Sequence, residues 1–195
     1  MKRSDIKELH FISPIENLAS ILEYGILCHN RAKELPHQSV AMNEIQERRR
    51  DKRIPGAGVL HDYANLYFDA HNPMLSRLRS LNDRLVVLRV DPIVLDRPGV
   101  VICDRNASAD WARFFTVEKG LEAIDSEVVF ARYWIHQDQY AEWEHKSKKC
   151  AEVLVPGDVD SGCILGAYVA NQVALTTVNS LRIGLQVTIN AAMFF

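Results

Sequence analysis

The segment Leu85 to Val90 reads LVVLRV, an almost unbroken apolar run closed by Asp91-Pro92. It is too short for a helix of its own, is rich in β-branched residues and stops at a proline, so it predicts a buried strand. Further extended runs follow the same logic at Leu9 to Ile12, Ile26-Leu27, Val100 to Cys103, Val128 to Tyr133, Glu152 to Val155, Ile164 to Val169 and Leu185 to Ile189. Helical patterns lie among them. Ser13-Pro14 opens a segment whose Ile15, Leu18, Ile21 and Leu22 share one face, and Gly25 is placed to stop it. Ser39 is placed to cap a helix over Val40 to Arg50, and Asn72-Pro73 to start one carrying Met74, Leu75, Leu78 and Leu81. Turn residues follow Cys103, with Ser108 or Asp110 as the next cap. A charged helix is expected from Asp138 to Lys149 and another near Val173 to Val178. Strands and helices mix without strict βαβ alternation, which predicts an α+β fold, and 195 residues suit a single domain over 1–195.

Charge narrows the function. Against 25 acidic residues stand 23 basic ones, a net charge of −2, which excludes a protein that coats nucleic acid non-specifically but leaves room for one local basic groove. No segment approaches the roughly 18 consecutive apolar residues of a membrane helix, and Met1-Lys2-Arg3-Ser4-Asp5 does not read as an export signal, so a cytoplasmic protein is expected. Cys28, Cys103, Cys150 and Cys163 lie far apart with no zinc-ligand spacing, which predicts reduced, buried thiols. The chain holds no GxSxG and no P-loop, so acyl transfer and nucleotide triphosphate hydrolysis are poor fits.

Chemistry-bearing residues crowd into Ser39 to Leu75. Five cations fall within Arg48 to Arg53, followed by Gly56 and Gly58, His61-Asp62, Tyr67-Phe68 and Asn72-Pro73-Met74-Leu75. The three consecutive arginines offer planar groups suited to phosphates, yet successive helical positions diverge by about 100°, so only one or two can enter the same cleft. Later in the chain Glu152 opens an otherwise apolar strand, where a carboxylate is costly unless it is paired, exposed or used. Three readings fit these residues: an enzyme using Glu152, a metal-dependent phosphohydrolase or nuclease using His61-Asp62, and a non-catalytic nucleic-acid-binding module built on the arginines.

Taken in order, several signals resemble the DarT family of DNA ADP-ribosyltransferases. They are His10 on the first strand, Pro14-Ile15-Glu16-Asn17-Leu18, Gln46-Glu47-Arg48-Arg49, Val59-Leu60-His61-Asp62-Tyr63, Tyr67-Phe68, Arg113-Phe114-Phe115 and the strand bearing Glu152. The resemblance implies an ADP-ribosyltransferase fold of two packed sheets around an NAD cleft, with helices outside. It also implies a toxin of a toxin–antitoxin pair that moves ADP-ribose from NAD to a base of single-stranded DNA. Glu152 and Arg49 match the family's catalytic pair, and His10, Ser13, Asn17, Arg49 and Tyr67 would seat NAD. Arg48, Arg50, Arg53, Met74 and Arg113 would contact DNA, and Trp134 to Cys150 would form the substrate-recognition segment. No metal is expected. The implied partners are single-stranded DNA and an antitoxin that strips ADP-ribose from DNA, with no membrane, and the chain is expected to act as a monomer.

Overall fold

The computed structural model describes residues 1–195. Its strands are β1 (Leu9–Pro14), β2 (Ile26–Leu27), β3 (Tyr63–Tyr67), β4 (Leu85–Val90), β5 (Val101–Cys103), β6 (Phe114–Phe115), β7 (Glu152–Pro156), β8 (Asp158–Val159), β9 (Ile164–Val169) and β10 (Val187–Ile189). Its helices are α1 (Leu18–Tyr24), α2 (His29–Ala32), α3 (Asn43–Asp51), α4 (Pro73–Arg77), α5 (Val117–Ala123), α6 (Ser126–Val129), α7 (Gln139–Lys149) and α8 (Gln172–Ser180). Eight strands pair in the order β10-β9-β4-β1-β3-β7-β5-β6, while β2 and β8 pair separately. The arrangement is α+β, as expected. The two halves β10-β9-β4-β1 and β3-β7-β5-β6 are hydrogen-bonded into one sheet, and the seam between them is a single residue pair, His10 opposite Tyr67.

Alternation along the strands explains what each face carries. Leu66 on β3, Leu88 on β4, Ile102 on β5 and Val153 on β7 point to one side and join the main core of 27 buried residues, which α1, α5 and α8 cover with Leu18, Leu121 and Val178. Their neighbours Leu85, Val87, Cys103 and Leu154 point the other way and fall into two smaller apolar clusters. Both faces of β4 are therefore covered, which is why LVVLRV lacks polar alternation.

Local chemistry accounts for the helix starts, including those that differ from expectation. Asn72 accepts hydrogen bonds from the N–H groups of Met74 and Leu75 and precedes Pro73 at the first turn, so α4 begins where the sequence placed it. Ser39 instead closes a turn by accepting from the Ala41 N–H, and α3 starts three residues later than its cap implied, at Asn43. The weak alternation over Val128 to Tyr133 is not a strand. Asp125 accepts from the N–H groups of Glu127 and Val128 and so starts α6 there. Ser108 caps nothing, because its hydroxyl donates to Asn106, and after Asp110 the chain first forms β6. Ser13-Pro14 ends β1 rather than opening α1, with Pro14 registered against Leu85. Because the fully buried Asn72 side chain also donates to the Asp69 carbonyl, Asn72→Ala is expected to cost about 1–2 kcal/mol, read as a lower urea midpoint with an unchanged slope.

Candidate active site

One row of side chains crosses the sheet opposite the main core. In register, Arg89 on β4 faces His10 on β1, His10 faces Tyr67 on β3, Tyr67 faces Glu152 on β7, Glu152 faces Cys103 on β5, and Cys103 faces Phe114 on β6. Directly opposed residues in antiparallel strands share a face, so these six form a line roughly 24 Å long at about 4.8 Å per strand. The line crosses the one-pair seam and runs between the two smaller apolar clusters.

Glu152 is 0 % exposed and Arg49 is 7 % exposed. Arg49 comes from α3 and forks one nitrogen onto both carboxylate oxygens, Nη1 lying 3.1 Å from Oε1 and 3.0 Å from Oε2. The backbone N–H of Ala107 donates to Oε1 at 2.9 Å. Burial alone would pull the Arg49 pKa down, but the Glu152 charge beside it more than compensates, and the net shift is upward. Among the three consecutive arginines only Arg49 turns inward. Arg48 and Arg50 are exposed, and Arg50 pairs with Asp51.

The loop that supplies the Ala107 N–H is braced on both sides. Asp104 accepts from the backbone N–H of Arg113 at 3.0 Å and from its Nε at 2.8 Å, and Lys52 reaches from the end of α3 to the Ala109 carbonyl at 2.9 Å. Asn106 donates its N–H to the Ser147 carbonyl of α7 at 2.9 Å.

Thiols and phenol beside the carboxylate stay protonated. Burial first, and then the Glu152 charge, push Cys103 and Cys150 each up to about 12 and raise Tyr67 well above its ordinary value. None of the three is a nucleophile at neutral pH. Tyr67 donates instead to the Met74 sulfur, 3.1 Å away on α4.

His10 lies next to Tyr67 and is oriented by Glu8, whose Oε1 is 3.0 Å from Nε2. Its Nδ1 is buried with no protein partner. A buried unpartnered ring nitrogen and a carboxylate in one row, with a buried arginine laid against that row from α3, are a donor and acceptor set suited to a polar, phosphate-bearing ligand such as NAD. Burial pushes Glu8 up, but hydrogen bonds from His10 and Arg89 outweigh it and leave the carboxyl at about 2. A lowered folded-state value means that Glu8 stabilises the fold above its ordinary value of 4.5 and that this contribution fades as pH falls through about 2. Glu8→Gln is therefore expected to be less stable than wild type at neutral pH. The gap, followed by urea unfolding against pH, should narrow steadily below pH 4.5.

Other expected site residues fall elsewhere. Ser13 is out of step with His10 and Ile12 and points to the main-core side, where its hydroxyl accepts from Asn17 Nδ2 at 3.4 Å. Asn17 also clamps the Gln38 backbone through both its N–H, at 2.9 Å, and its carbonyl, at 2.8 Å. These two residues brace the segment before α3 and do not join the row. Arg53 and Arg113 are exposed, and Arg113 is occupied by Asp104. His61 bonds to Gln46 at 3.1 Å and lies against the His29 ring at 4.0 Å between centroids, while Asp62 accepts from Asn30 at 2.8 Å. Burial, with His29 and Arg49 nearby, depresses His61 to about 4. The two members of the His61-Asp62 pair thus serve separate partners, and no group of three or more His, Cys, Asp or Glu side chains is gathered to hold a metal ion.

Comparison with known proteins matches the chain to a family. The family model described as "DarT: ssDNA thymidine ADP-ribosyltransferase, DarT" matches residues 10–195. The chain is 32 % identical over 175 residues to the DNA ADP-ribosyl transferase-DNA ADP-ribosyl glycohydrolase fusion protein of Thermosipho africanus, covering 85 % of this chain and 43 % of that one. It therefore spans less than half the length of that relative. The solved structure of Thermus sp. 2.9 DarT in complex with ADP-ribosylated ssDNA superposes with a TM-score of 0.83 at 27 % identity, covering 98 % of this chain and 97 % of that one. The same Thermus protein in complex with carba-NAD+ gives 0.77 at 26 % identity, covering 98 % and 99 %.

Proposed function

The chain belongs to the DarT family, and from that premise we propose that it transfers ADP-ribose from NAD to a base of single-stranded DNA, thymine being the base named in the family's description. The observation that carries this reading at residue level is the buried Arg49–Glu152 pair beside the unpartnered His10 ring nitrogen. NAD supplies the activated bond: as nicotinamide leaves, positive charge develops on the ribose carbon. Glu152 stabilises that charge through its carboxylate and helps take a proton from the attacking base.

The two oxygens of Glu152 divide the work. Oε1 keeps the Ala107 N–H as a fixed anchor, whereas Oε2 has Arg49 as its one hydrogen-bond partner. When Arg49 turns to the diphosphate of NAD, Oε2 is released toward the reacting centre while the carboxyl group stays in place. Arg49 thus positions substrate and governs access to the acid. His10 contributes a hydrogen bond from the adjoining strand, and Tyr67, kept neutral, walls the site. Arg48, Arg50 and Arg53, exposed at the outer end of α3, attract the DNA strand, and Met74 lies beside Tyr67 within reach of an unstacked base.

The paired centre is complete within one chain, so a monomer suffices. The partner that reverses the modification is proposed to be a glycohydrolase, an activity named in the fusion relative from Thermosipho africanus. A toxin so controlled acts in the cytoplasm, and no helix here is long and apolar enough to cross a membrane. The test is nicotinamide release from NAD with and without single-stranded DNA, in the presence and absence of a chelator. DNA-dependent release indifferent to the chelator supports the proposal. DNA cleavage that needs metal and not NAD would overturn it in favour of the His61-Asp62 reading.

A further inference from the structure

The His61-Asp62 pair is unused by the transfer chemistry, yet it lies on the frame that carries the acid. His61 belongs to the short turn Leu60–Asp62 that leads into β3. The Asp62 carbonyl accepts from the N–H of Gly157, just past β7, at 2.8 Å, and Tyr63 then pairs with Pro156. The far end of the same strand pair sets Tyr67 against Glu152. Helix α2 adds a second brace, with Asn30 donating to the Asp62 carboxylate at 2.8 Å and the His29 ring 4.0 Å from that of His61. His61 is therefore fixed to the strands that hold Glu152.

Helix α3 has no such support of its own. Ile45 is its one aliphatic residue and is half-buried, and of its nine residues only Arg49 is buried. A helix without an apolar stripe is oriented by the polar contacts it makes. Two side chains of α3 hydrogen-bond to the rest of the chain: Arg49 to Glu152, and Gln46 to His61, with Oε1 and Nε2 3.1 Å apart. An amide oxygen only accepts, so the His61 Nε2 carries the proton. Gln46 and Arg49 are three residues apart and share one face of the helix. His61 is 6 % exposed and held at about 4, chiefly by burial, so it stays neutral and places no second cation beside Arg49.

The two contacts have different fates during the reaction. Arg49 gives up Glu152 when it turns to the diphosphate of NAD, and the Gln46–His61 bond is then the remaining side-chain hydrogen bond between α3 and the rest of the chain. Resting on the transferase reading above, we propose that His61 is a positioning residue for the reaction: through Gln46 it keeps α3, and with it Arg49, in place relative to Glu152 while NAD is bound. The chemistry stays with Glu152.

The test combines nicotinamide release from NAD at saturating DNA with hydrogen exchange of the α3 amides. His61→Phe keeps a ring against His29 and removes the donor, and Gln46→Ala removes the acceptor from a half-buried position. Each is expected to raise the KM for NAD about fivefold to tenfold, with kcat within about twofold of wild type, and to speed exchange over Asn43–Asp51 by a similar factor. The double variant should be no worse than either single change, and His61→Gln, whose amide N–H can stand in for Nε2–H, should recover most of the KM. In an Arg49→Lys background His61→Phe should add little, because the group it positions is already altered. A purely structural role would lower the unfolding midpoint and the active fraction, and so kcat, without moving KM. An unchanged KM in both single variants, or the full additional loss in the Arg49→Lys background, would overturn the proposal. So would unaltered exchange over α3. If wild type releases no nicotinamide yet both single variants exchange faster, the transferase reading fails while the tie from His61 to α3 stands.

Discussion

Glu152→Gln is expected to lower the rate of ADP-ribose transfer by about a thousandfold, an effect of about 4 kcal/mol on the barrier, with little change in the KM for NAD. The substitution keeps the shape of the side chain. Its amide oxygen can still accept from Ala107 N–H at the Oε1 position, 2.9 Å away, and from Arg49. What it removes is the negative charge that opposes the positive charge developing on the ribose, so the loss belongs in kcat and not in binding. Far-ultraviolet circular dichroism should show the native fold. Activity within about tenfold of wild type would take Glu152 out of the reaction.

Arg49→Ala is expected to act on stability as well as rate. It leaves a carboxylate that is 0 % exposed with one backbone N–H as its partner, and breaking a buried ion pair from one side typically costs about 3–5 kcal/mol. The larger part of that cost is the stranded charge itself. Adding Glu152→Gln to Arg49→Ala should therefore restore part of the lost stability in urea unfolding while leaving the protein inactive. Arg49→Lys separates the two roles, because it keeps a charge that can bridge both oxygens as Nη1 does but loses the planar guanidinium, whose remaining N–H groups would hold the diphosphate of NAD. It should fold close to wild type and transfer at least about tenfold more slowly. An Arg49→Ala protein as stable and as active as wild type would mean that the pair is incidental.

Much of the fold was legible because it rests on local chemistry. LVVLRV occupies β4 from Leu85 to Val90, Asn72-Pro73 caps α4 and Asp138 caps α7. Errors arose where two local signals competed. Asp125 capping overrode the weak alternation at Val128, and the hydroxyls of Ser39 and Ser108 served turns in place of helix starts.

The site was legible only in part. Glu152 stood out as a carboxylate in an apolar strand, and helical geometry allowed few of the arginines inward, as Arg49 alone is. The Ala107 N–H carries no residue signature, since every non-proline backbone has one, and only its place in a braced turn aims it at Oε1. Glu8 reads in sequence as an ordinary charge before a strand, and its grip on His10 appears once Arg89 is brought alongside from β4. Ser13 lies off the row for a periodic reason, because one residue of offset along a strand sends a side chain to the other face.

The most direct measurement is mass spectrometry of a mixed set of single-stranded DNA oligonucleotides incubated with NAD and either wild-type protein or Glu152→Gln. One added ADP-ribose on a single kind of base with the wild type, and none with the variant, is the expected result. Oligonucleotides left unmodified by the wild type, or modified equally by both proteins, would contradict the assignment of the Arg49–Glu152 pair as the transferase centre.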